Sequence, residues 1–441
     1  MSWPKAVNPT AGGLCDIPIS VDHLRRIGSL RRKLTRAGLS GIVVTHLPDV
    51  RYLSGFTGSS AALAIHRRGA SLFTDGRYKT QAAAEVNAAR VQIVQGPPAV
   101  SAVQWLAAQP GVEFAGFDAT KTTVADLARW KESLPSKLRK SFLTALPSPA
   151  IEALRMVKDS DELELMRQAA ALGCQLFDHI LGYIRPGLRE IDVSAELEHK
   201  ARQLGAEGMS FETIAASGER SAMPHARATA TVLPKRGFLT MDFGVILNGY
   251  CSDMTRTIYL GTPKTAERAT YQAVLEAQEA AIQAVSAGAS CAEVDEAARG
   301  VLRRVGLAEA FTHSTGHGVG LEIHEQPRAV ADTFRGRIAL KAGEVSLEEM
   351  RITAAQARQI KRVHLVACGT AWHAWAGGNA LQIRPDPIGF MIVEAPPGTT
   401  EVRMEFVTPL ENRAGRALTI YTVFFLVWIV FRARDFQGRA A

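Results

Sequence analysis

The sequence predicts an α/β domain followed by an α+β domain. Helical and strand patterns alternate from residue 21 to about residue 146, which is typical of a sheet covered by helices. Beyond that point, a β-rich stretch at residues 210–261 lies between two pairs of helical patterns. The 441 residues suffice for two or three domains, because a folded domain usually contains about 100 to 200 residues.

The first domain is expected over residues 22–146, after a flexible N-terminus at residues 1–21. The pattern LRRIGSLRRKLTRAG predicts its first helix, which ends at Gly38, a residue favoured just beyond helix ends. The apolar run GIVVT predicts a strand, and ALAIHRRGASLFTDGRYKTQAAAEV predicts two strands around a turn, then a helix. The proline-containing segment LPSPAIEALRMVKDSDELELM reads as a linker into a long helix, so we place the domain boundary at its start.

The second domain is expected to begin at residue 147 and to contain four helices around its β-rich stretch. Apolar residues recur with the helical period in four segments, which are residues 161–183, 190–204, 266–285 and 292–305. The β-rich stretch between the second and third of these segments carries the most informative residues of the chain, and they are described below.

Composition argues against several classes of function. The net charge is +8, but Lys and Arg are scattered among Asp and Glu, which indicates a mildly basic surface and no nucleic-acid partner. The five cysteines are far apart and form no CxxC pair, which argues against both a disulfide framework and a thiolate zinc site. The N-terminus lacks an apolar core of signal-peptide length, so a cytoplasmic location is predicted.

An uncharged apolar run, LTIYTVFFLVWIVF, occupies residues 418–431. It is shorter than the roughly 20 residues that a membrane-spanning helix needs. One interpretation is a buried helix or pair of strands. The other is membrane association through this run alone, in which case the arginines that follow it favour a cytoplasmic C-terminus.

Residues 238–261, FLTMDFGVILNGYCSDMTRTIYLG, predict a β-hairpin with Asn248-Gly249 at its turn. A two-residue turn there pairs residues whose numbers sum to 497, so Asp242 faces Thr255 and lies diagonal to Asp253. Residues two apart share one face of a strand, so both carboxylates project together. Such a pair favours a divalent ion such as Mn²⁺, Co²⁺ or Zn²⁺, and a solvent-facing hairpin surface is the alternative.

Four of the eleven histidines bracket this acidic pair. His225 follows a proline in ASGERSAMPHARAT, upstream of the hairpin, and FTHSTGHGVGLEIHEQP downstream contains His313, His317 and His324. Imidazole can ligate a metal or carry a proton, so the histidines favour a metal centre over the solvent-facing alternative. Each histidine taken alone is equally consistent with a structural role.

The order of these motifs resembles metallopeptidase family M24. The segment DVRYLSGFTGSSAALAI…SLFTDGRYKTQA is similar to the accessory domain of Xaa-Pro aminopeptidases and prolidases, and the resemblance covers residues 22–325. It implies a creatinase-type N-terminal domain followed by a pita-bread catalytic domain. It also implies that Asp242, Asp253 and His317 ligate two divalent ions, with Mn²⁺ expected first.

The resemblance implies further roles. His225 and His324 match the histidines that contact the substrate and the tetrahedral intermediate, and His313 matches a further histidine near the scissile bond. The implied activity is hydrolysis of N-terminal Xaa-Pro bonds by a metal-bridged hydroxide, as in an Xaa-Pro aminopeptidase. An Xaa-Pro dipeptidase is one alternative, and an impaired composite protein or peptide-binding module is another. The implied partners are a peptide with proline at its second position and a second copy of the chain in a homodimer.

The sequence departs from the family pattern after residue 325. The family completes its site with two glutamates, in a Gly-Met-Val-x-Thr-x-Glu-Pro-Gly strand and a Val-Arg-Ile-Glu-Asp strand, and neither strand is intact here. Glu349 falls at the expected distance from Gly343 and is the candidate fourth metal ligand. Glu405 in VRMEFVT comes later than the family spacing places it. Reduced or lost activity is therefore predicted.

Two other resemblances occupy the last part of the chain. Residues 322–374 resemble an internal segment of glutamine–fructose-6-phosphate aminotransferase, in which VHLVACGT is an apolar strand that ends where phosphate could bind. Aminotransferase activity is not expected, because the chain starts MSWP and lacks the Met-Cys start. The tail resembles the end of a bacterial multi-spanning membrane protein. We therefore predict a truncated catalytic domain at 147–325, a sugar-isomerase-like fragment at 326–375 and a tail at 376–441.

Overall fold

A computed structural model describes residues 21–147, 149–185 and 187–329, together with the backbone of six strands between residues 362 and 406. The chain divides into two compact units, residues 1–343 and residues 344–441. The expected flexible N-terminus, Glu349 and the apolar run at residues 418–431 lie outside the described residues. Within the described residues, none of the helices combines the length and the apolar character needed to cross a membrane.

The N-terminal part of the first unit is a six-stranded sheet with helices on both faces. Its strands are β1 (Gly41–Val44), β2 (Ala61–His66), β3 (Gly69–Thr74), β4 (Arg90–Ile93), β5 (Ala115–Phe117) and β6 (Leu143–Ala145), in the order β4-β3-β2-β1-β5-β6. Its helices are α1 (His23–Arg36), α2 (Leu47–Ser54), α3 (Lys79–Glu85), α4 (Pro98–Ala107), α5 (Val124–Ser133) and α6 (Glu152–Arg155). Strands β1, β2 and β3 pair antiparallel, and the outer pairs are parallel.

Successive side chains of the central strands pack alternately into two cores, one on each face of the sheet. Ile42 and Val44 pack with Ile27 and Leu30 of α1 on one face. Val43, between them, packs on the other face with residues of α4 and α5. A strand can serve both cores because successive side chains point to opposite faces.

The rest of the first unit contains four long helices and three small sheets. The helices are α7 (Ser160–Tyr183), α8 (Glu190–Gln203), α9 (Thr265–Ala284) and α10 (Cys291–Arg304), each within two residues of the predicted segment. The strands are β7 (Gly208–Met209), β8 (Ile214–Ser217), β9 (Gly237–Phe243), β10 (Val245–Leu247), β11 (Tyr250–Cys251), β12 (Met254–Leu260), β13 (Gly316–Gly318) and β14 (Glu325–Ala329). The sheets are β11-β10-β7, β12-β9-β8 and β13-β14.

Helices α7 and α8 cover one face of the hairpin. Leu239, Met241 and Phe243 of β9 are buried in one core with residues of both helices, such as Leu176 and Leu197. The residues between them along β9 therefore point to the opposite face of the strand. The burial pattern of β9 thus positions Asp242 on the face away from this core.

The described residues of the second unit form two three-stranded sheets. Its strands are β15 (Arg362–Leu365), β16 (Trp372–Ala376), β17 (Asn379–Leu381), β18 (Ile383–Pro385), β19 (Met391–Glu394) and β20 (Arg403–Phe406). The sheet orders are β15-β19-β18 and β17-β16-β20. Glu405 thus lies in β20, opposite His373 of β16.

Candidate metal centre and active site

The hairpin forms in the register that the sequence predicts. Asp242 of β9 lies opposite Thr255 of β12, and Leu247 lies opposite Tyr250 beside the turn. The two turn residues, Asn248 and Gly249, have φ values of 50° and 81°. This left-handed pair is the conformation that a two-residue hairpin turn requires, and Asn-Gly favours it. The predicted hairpin is therefore confirmed.

Strand pairing is interrupted beside Asp253. Residues 244 and 252–253 lie outside the strands, which separates β9 from β10 and β11 from β12. A Cβ atom on Gly244 would lie 1.9 Å from the carbonyl oxygen of Ser252, so the close approach of the two backbones requires glycine here. The interruption takes Asp253 out of the regular ladder near the predicted metal site.

The two carboxylates are partly withdrawn from water, and neither pairs with Lys or Arg among the described residues. Burial raises the pKa of Asp242, and the neighbouring Asp253 adds to this, although a hydrogen bond of 2.8 Å from the Thr255 hydroxyl opposes it. Burial also raises the pKa of Asp253. Within the described part of the chain, neither carboxylate forms an ion pair with Lys or Arg. Uncompensated carboxylates in such a setting are a favourable site for a divalent cation.

His317 faces this pair from β13. Its Nδ1 atom lies 2.9 Å from the carbonyl oxygen of Gly318, and its Nε2 atom lies 3.4 Å from Oδ2 of Asp253. A carbonyl only accepts, so Nδ1 carries the hydrogen and the lone pair of the neutral ring is on Nε2. The ring therefore presents its ligating nitrogen to the carboxylates.

His324 and His225 lie close to the same group. The ring centroids of His317 and His324 are 4.6 Å apart in an edge-to-face contact. Burial lowers the pKa of His324, and His317, Arg328 and His225 lower it further by electrostatic repulsion. His225 also acts electrostatically on Asp242. Five of the predicted site residues thus lie in one region.

His313 lies at an adjoining cavity. Its ring makes an edge-to-face contact with Phe311 at 4.7 Å, and its Nδ1 atom lies 2.8 Å from the carbonyl oxygen of Ser314. His313 and His317 both line an apolar cavity of ≈ 750 Å³ between α9, α10 and the β13-β14 sheet. The cavity therefore connects His313 with His317.

A buried carboxylate that the sequence analysis missed anchors the segment that carries His225. Glu190, at the start of α8, is fully buried. Its carboxylate accepts hydrogen bonds from both the backbone and the hydroxyl of Ser217 and of Thr229, and from the guanidinium of Arg220. Glu190 therefore fastens both ends of the segment between these residues.

Asp295 of α10 anchors the segment that carries His313 in the same way. It is fully buried and accepts hydrogen bonds from the backbone and the hydroxyl of Thr315. Arg299 pairs with Asp295 at 2.6 Å and donates to the carbonyls of Phe311 and His313. Neither anchor is detectable from sequence, because the loop residues that each carboxylate binds lie 20 or more residues away in the chain.

The donor set fits a divalent ion, although the described residues do not enclose one. Two carboxylates and an imidazole are the ligand types that Mn²⁺, Co²⁺ and Zn²⁺ accept. Among the described residues, however, no three His, Cys, Asp or Glu side chains are close enough together to hold an ion on their own. Further ligands are therefore required, and Glu349 remains the candidate from the sequence.

Comparison with known proteins shows which family this chain belongs to. A family model described as metallopeptidase family M24 matches residues 164–368, and one described as the creatinase/prolidase N-terminal domain matches residues 26–157. An uncharacterised peptidase of Bacillus subtilis is 33% identical over 303 residues, which cover 68% of this chain and 84% of that protein. This chain belongs to metallopeptidase family M24.

Other M24 relatives have named activities. An Xaa-Pro dipeptidase of Pyrococcus furiosus is 40% identical over 178 residues, which cover 40% of this chain and 51% of that protein. The structure of an Xaa-Pro dipeptidase from Bacillus anthracis matches with a TM-score of 0.67 and 36% identity, covering 72% of this chain and 87% of that chain. The structure of an X-Pro aminopeptidase from Thermotoga maritima matches with a TM-score of 0.64 and 31% identity, covering 70% and 87%.

The M24 assignment confirms the predicted fold class, a creatinase-type N-terminal domain followed by a pita-bread catalytic domain. Enzymes of the M24 family use divalent metal ions. The family match continues to residue 368, past the end predicted at residue 325. The domain boundaries, the aminotransferase resemblance and the membrane-protein resemblance of the tail stay predictions.

Proposed function

We propose that this chain hydrolyses the peptide bond before a proline at the second position of a peptide, as an Xaa-Pro aminopeptidase. The observation that supports this is that Asp242, Asp253 and His317 lie in one region, with Nε2 of His317 3.4 Å from Oδ2 of Asp253. The relatives named above include proteins called Xaa-Pro dipeptidase and X-Pro aminopeptidase. An Xaa-Pro dipeptidase is therefore the alternative, and the two differ in the length of peptide that they accept.

Asp242, Asp253 and the Nε2 atom of His317 would hold the metal ions. Bound there, divalent ions lower the pKa of a water molecule and polarise the scissile carbonyl. Mn²⁺ is the ion we expect, with Co²⁺ or Zn²⁺ as alternatives. Glu349 is proposed to supply a further carboxylate and to carry the proton to the departing proline nitrogen.

His324 and His225 would bind the oxyanion that develops as the carbonyl is attacked. Burial lowers the pKa of His324 and so favours its neutral ring, which retains one N–H donor. Its contact with His317 limits how the ring can turn. A donor fixed in this way stabilises the transition state more than the substrate, because the negative charge exists only in the former.

A peptide-binding protein with the same fold and impaired catalysis is the second candidate. The observation that favours it is the lack, among the described residues, of three potential ligands close enough to hold an ion. If the family's glutamates are not replaced by others, the remaining ion would be poorly oriented and its water less acidic. Turnover would then fall below the ordinary range of about 1 to 1,000 per second.

The test is hydrolysis of an Xaa-Pro dipeptide and of a longer Xaa-Pro peptide, each with saturating Mn²⁺, Co²⁺ and Zn²⁺ in turn. We expect slow, metal-dependent turnover that His317→Ala abolishes and that a matched change of the exposed His199, His199→Ala, leaves unchanged. Cleavage of the longer peptide supports the aminopeptidase, and cleavage of the dipeptide alone supports the dipeptidase. Peptide binding without cleavage under all three ions would contradict the proposal and support the second candidate.

A further inference from the structure

The segment that carries His324, residues 320–325, ends in a buried ionic cluster. Glu325 follows His324 directly and is buried, and its carboxylate accepts hydrogen bonds from the guanidinium of Arg155 and from Nζ of Lys158 at 2.9 Å. Arg155 is only 3% exposed. A buried guanidinium is costly without charged or polar partners, so the positions of Arg155 and of the carboxylates that it binds depend on one another.

Arg155 joins this segment to the N-terminal domain. Its Nη1 atom lies 2.7 Å from Oδ1 of the buried Asp49 in α2. Its Nη2 atom contacts Glu325 and also lies 2.8 Å from Oε2 of Glu322. The planar fork of one arginine thus holds a carboxylate of the N-terminal domain and two carboxylates that flank His324.

Neighbouring groups of the N-terminal domain reinforce the same contact. The ring of His46 lies 3.1 Å from Asp49 and 3.3 Å from Glu322, and Nζ of Lys121 lies 3.5 Å from Glu322. Leu321 packs against the core that contains Ile27 and Leu30. The His324 segment is therefore seated on the N-terminal domain by both charge and apolar contact.

The other side of the segment is fixed to the hairpin. The backbone N–H of Cys251 donates to the carbonyl of Gly320 at 2.7 Å. A Cβ atom on Gly320 would lie 2.7 Å from both carboxylate oxygens of Glu325, so the chain folds tightly around that carboxylate. The segment is held between the hairpin that carries Asp253 and the domain that carries Asp49.

We propose that Arg155 is a positioning residue for the active site, which fixes His324 against the hairpin through Glu325 and Glu322. We call the contacts of Arg155 with Asp49, Glu322 and Glu325 the clamp. Through Asp49, the N-terminal domain completes the clamp and so contributes to the geometry of the catalytic centre without touching the substrate. The catalytic consequence rests on the proposed peptidase function, whereas the structural consequence does not. Loss of the fork removes the one side chain that holds Asp49, Glu322 and Glu325 together, so the segment that carries His324 is held less firmly beside His317.

The chain offers a matched control in Arg26. This arginine is also buried, and it also joins the N-terminal domain to the start of α7, through Asp159 at 2.9 Å, but it does not contact the His324 segment. The change Arg155→Lys keeps the charge and removes the fork, and Arg26→Lys does the same at the control site. Asp49→Asn removes the N-terminal half of the clamp and leaves Arg155 in place.

The first measurement is hydrogen exchange of the backbone in residues 316–329, which needs no activity. We expect Arg155→Lys and Asp49→Asn to speed this exchange by about tenfold or more, and Arg26→Lys to leave it unchanged. Similar acceleration in all three variants would show general loosening and overturn the proposal. So would unchanged exchange in Arg155→Lys.

The second measurement is the division of the kinetic effect between kcat and KM. Because His324 is assigned to the oxyanion, Arg155→Lys should lower kcat while KM changes by less than about twofold. A change in KM with kcat unaltered would contradict the positioning role. So would a loss of kcat in Arg26→Lys as large as that in Arg155→Lys. If the unaltered protein hydrolyses no Xaa-Pro peptide, the proposed function fails and the exchange measurement still tests the clamp.

Discussion

The orientation of single side chains determines the chemistry available at the hairpin. His317 donates from Nδ1 to its neighbouring carbonyl, so its Nε2 lone pair faces Asp253 at 3.4 Å. The opposite tautomer would point a hydrogen at the carboxylate and remove a ligand. Burial raises the pKa of both Asp242 and Asp253, so each carboxylate gains more than usual from a bound positive charge, and a metal ion there has to displace the proton.

At this scale we predict that Asp253→Ala weakens Mn²⁺ binding by more than about 100-fold. Even residues that only support a ligand change metal affinity by about 10- to 100-fold when they are lost, and Asp253 is assigned as a ligand. Isothermal titration and elemental analysis of the purified protein measure the effect. The control is Asp178→Ala, at an exposed position of α7. Equal Mn²⁺ affinity in the two variants would refute the site assignment.

Buried carboxylates at helices fix the loops that carry the histidines. Glu190 lies in the first turn of α8, Asp295 lies within α10, and each accepts hydrogen bonds from a separate irregular segment. The helices thereby hold in place loops that have little regular structure of their own. A buried charge that accepts several hydrogen bonds is stabilised, but it becomes costly once those bonds cannot form.

At the scale of these elements we predict that Glu190→Gln lowers the free energy of unfolding by about 2 to 3 kcal/mol. The amide NH₂ of glutamine would replace one carboxylate oxygen and face the N–H of either Ser217 or Thr229, so donor would meet donor on one side of a buried site. Urea denaturation measures the loss, and hydrogen exchange of residues 218–231 shows where it acts. The matched control on the same helix is Glu198→Gln at an exposed position. Equal loss in both variants would show that Glu190 is not an anchor.

The two domains of the first unit meet through charged groups that titrate. Burial lowers the pKa of His46, but Asp49 and Glu322 outweigh burial and raise that pKa to about 9 from the usual 6.5. The hydrogen bond from His46 and the charge of Arg155 hold the pKa of Glu322 at about 2, with Lys121 contributing. The contact between the domains is therefore strongest where His46 is protonated and Glu322 is ionised.

For the whole molecule we predict a loss of stability in alkaline solution that depends on His46. A folded-state pKa above the unfolded value means that the stabilisation is complete below pH 6.5 and disappears as the pH rises through about 9. The measurement is the urea midpoint of the unaltered protein minus that of His46→Gln, from about pH 6 to about pH 9.5. This difference should shrink steadily above pH 6.5. A difference that does not vary with pH would contradict the assignment.

Much of the candidate site follows from the sequence because it depends on local pairing. The Asn248-Gly249 turn and the two-residue period of strands together determine that Asp242 lies opposite Thr255. The helical period likewise placed the four long helices of the second domain within two residues of their observed bounds. The family and the fold class were also recognisable from ordered motifs around these residues.

Only the tertiary structure decided which distant groups meet. Arg155 contacts Asp49, which is 106 residues away, and Glu325, which is 170 residues away, and no periodicity in the sequence links the three. The convergence of His317 and His324 on the hairpin likewise depends on how the loops are seated on the N-terminal domain. Hydrogen-bond patterns and side-chain periods act over a few residues, so a sequence reveals them directly. Contacts between buried charges depend on the packing of complete domains, and they are determined only when the chain has folded.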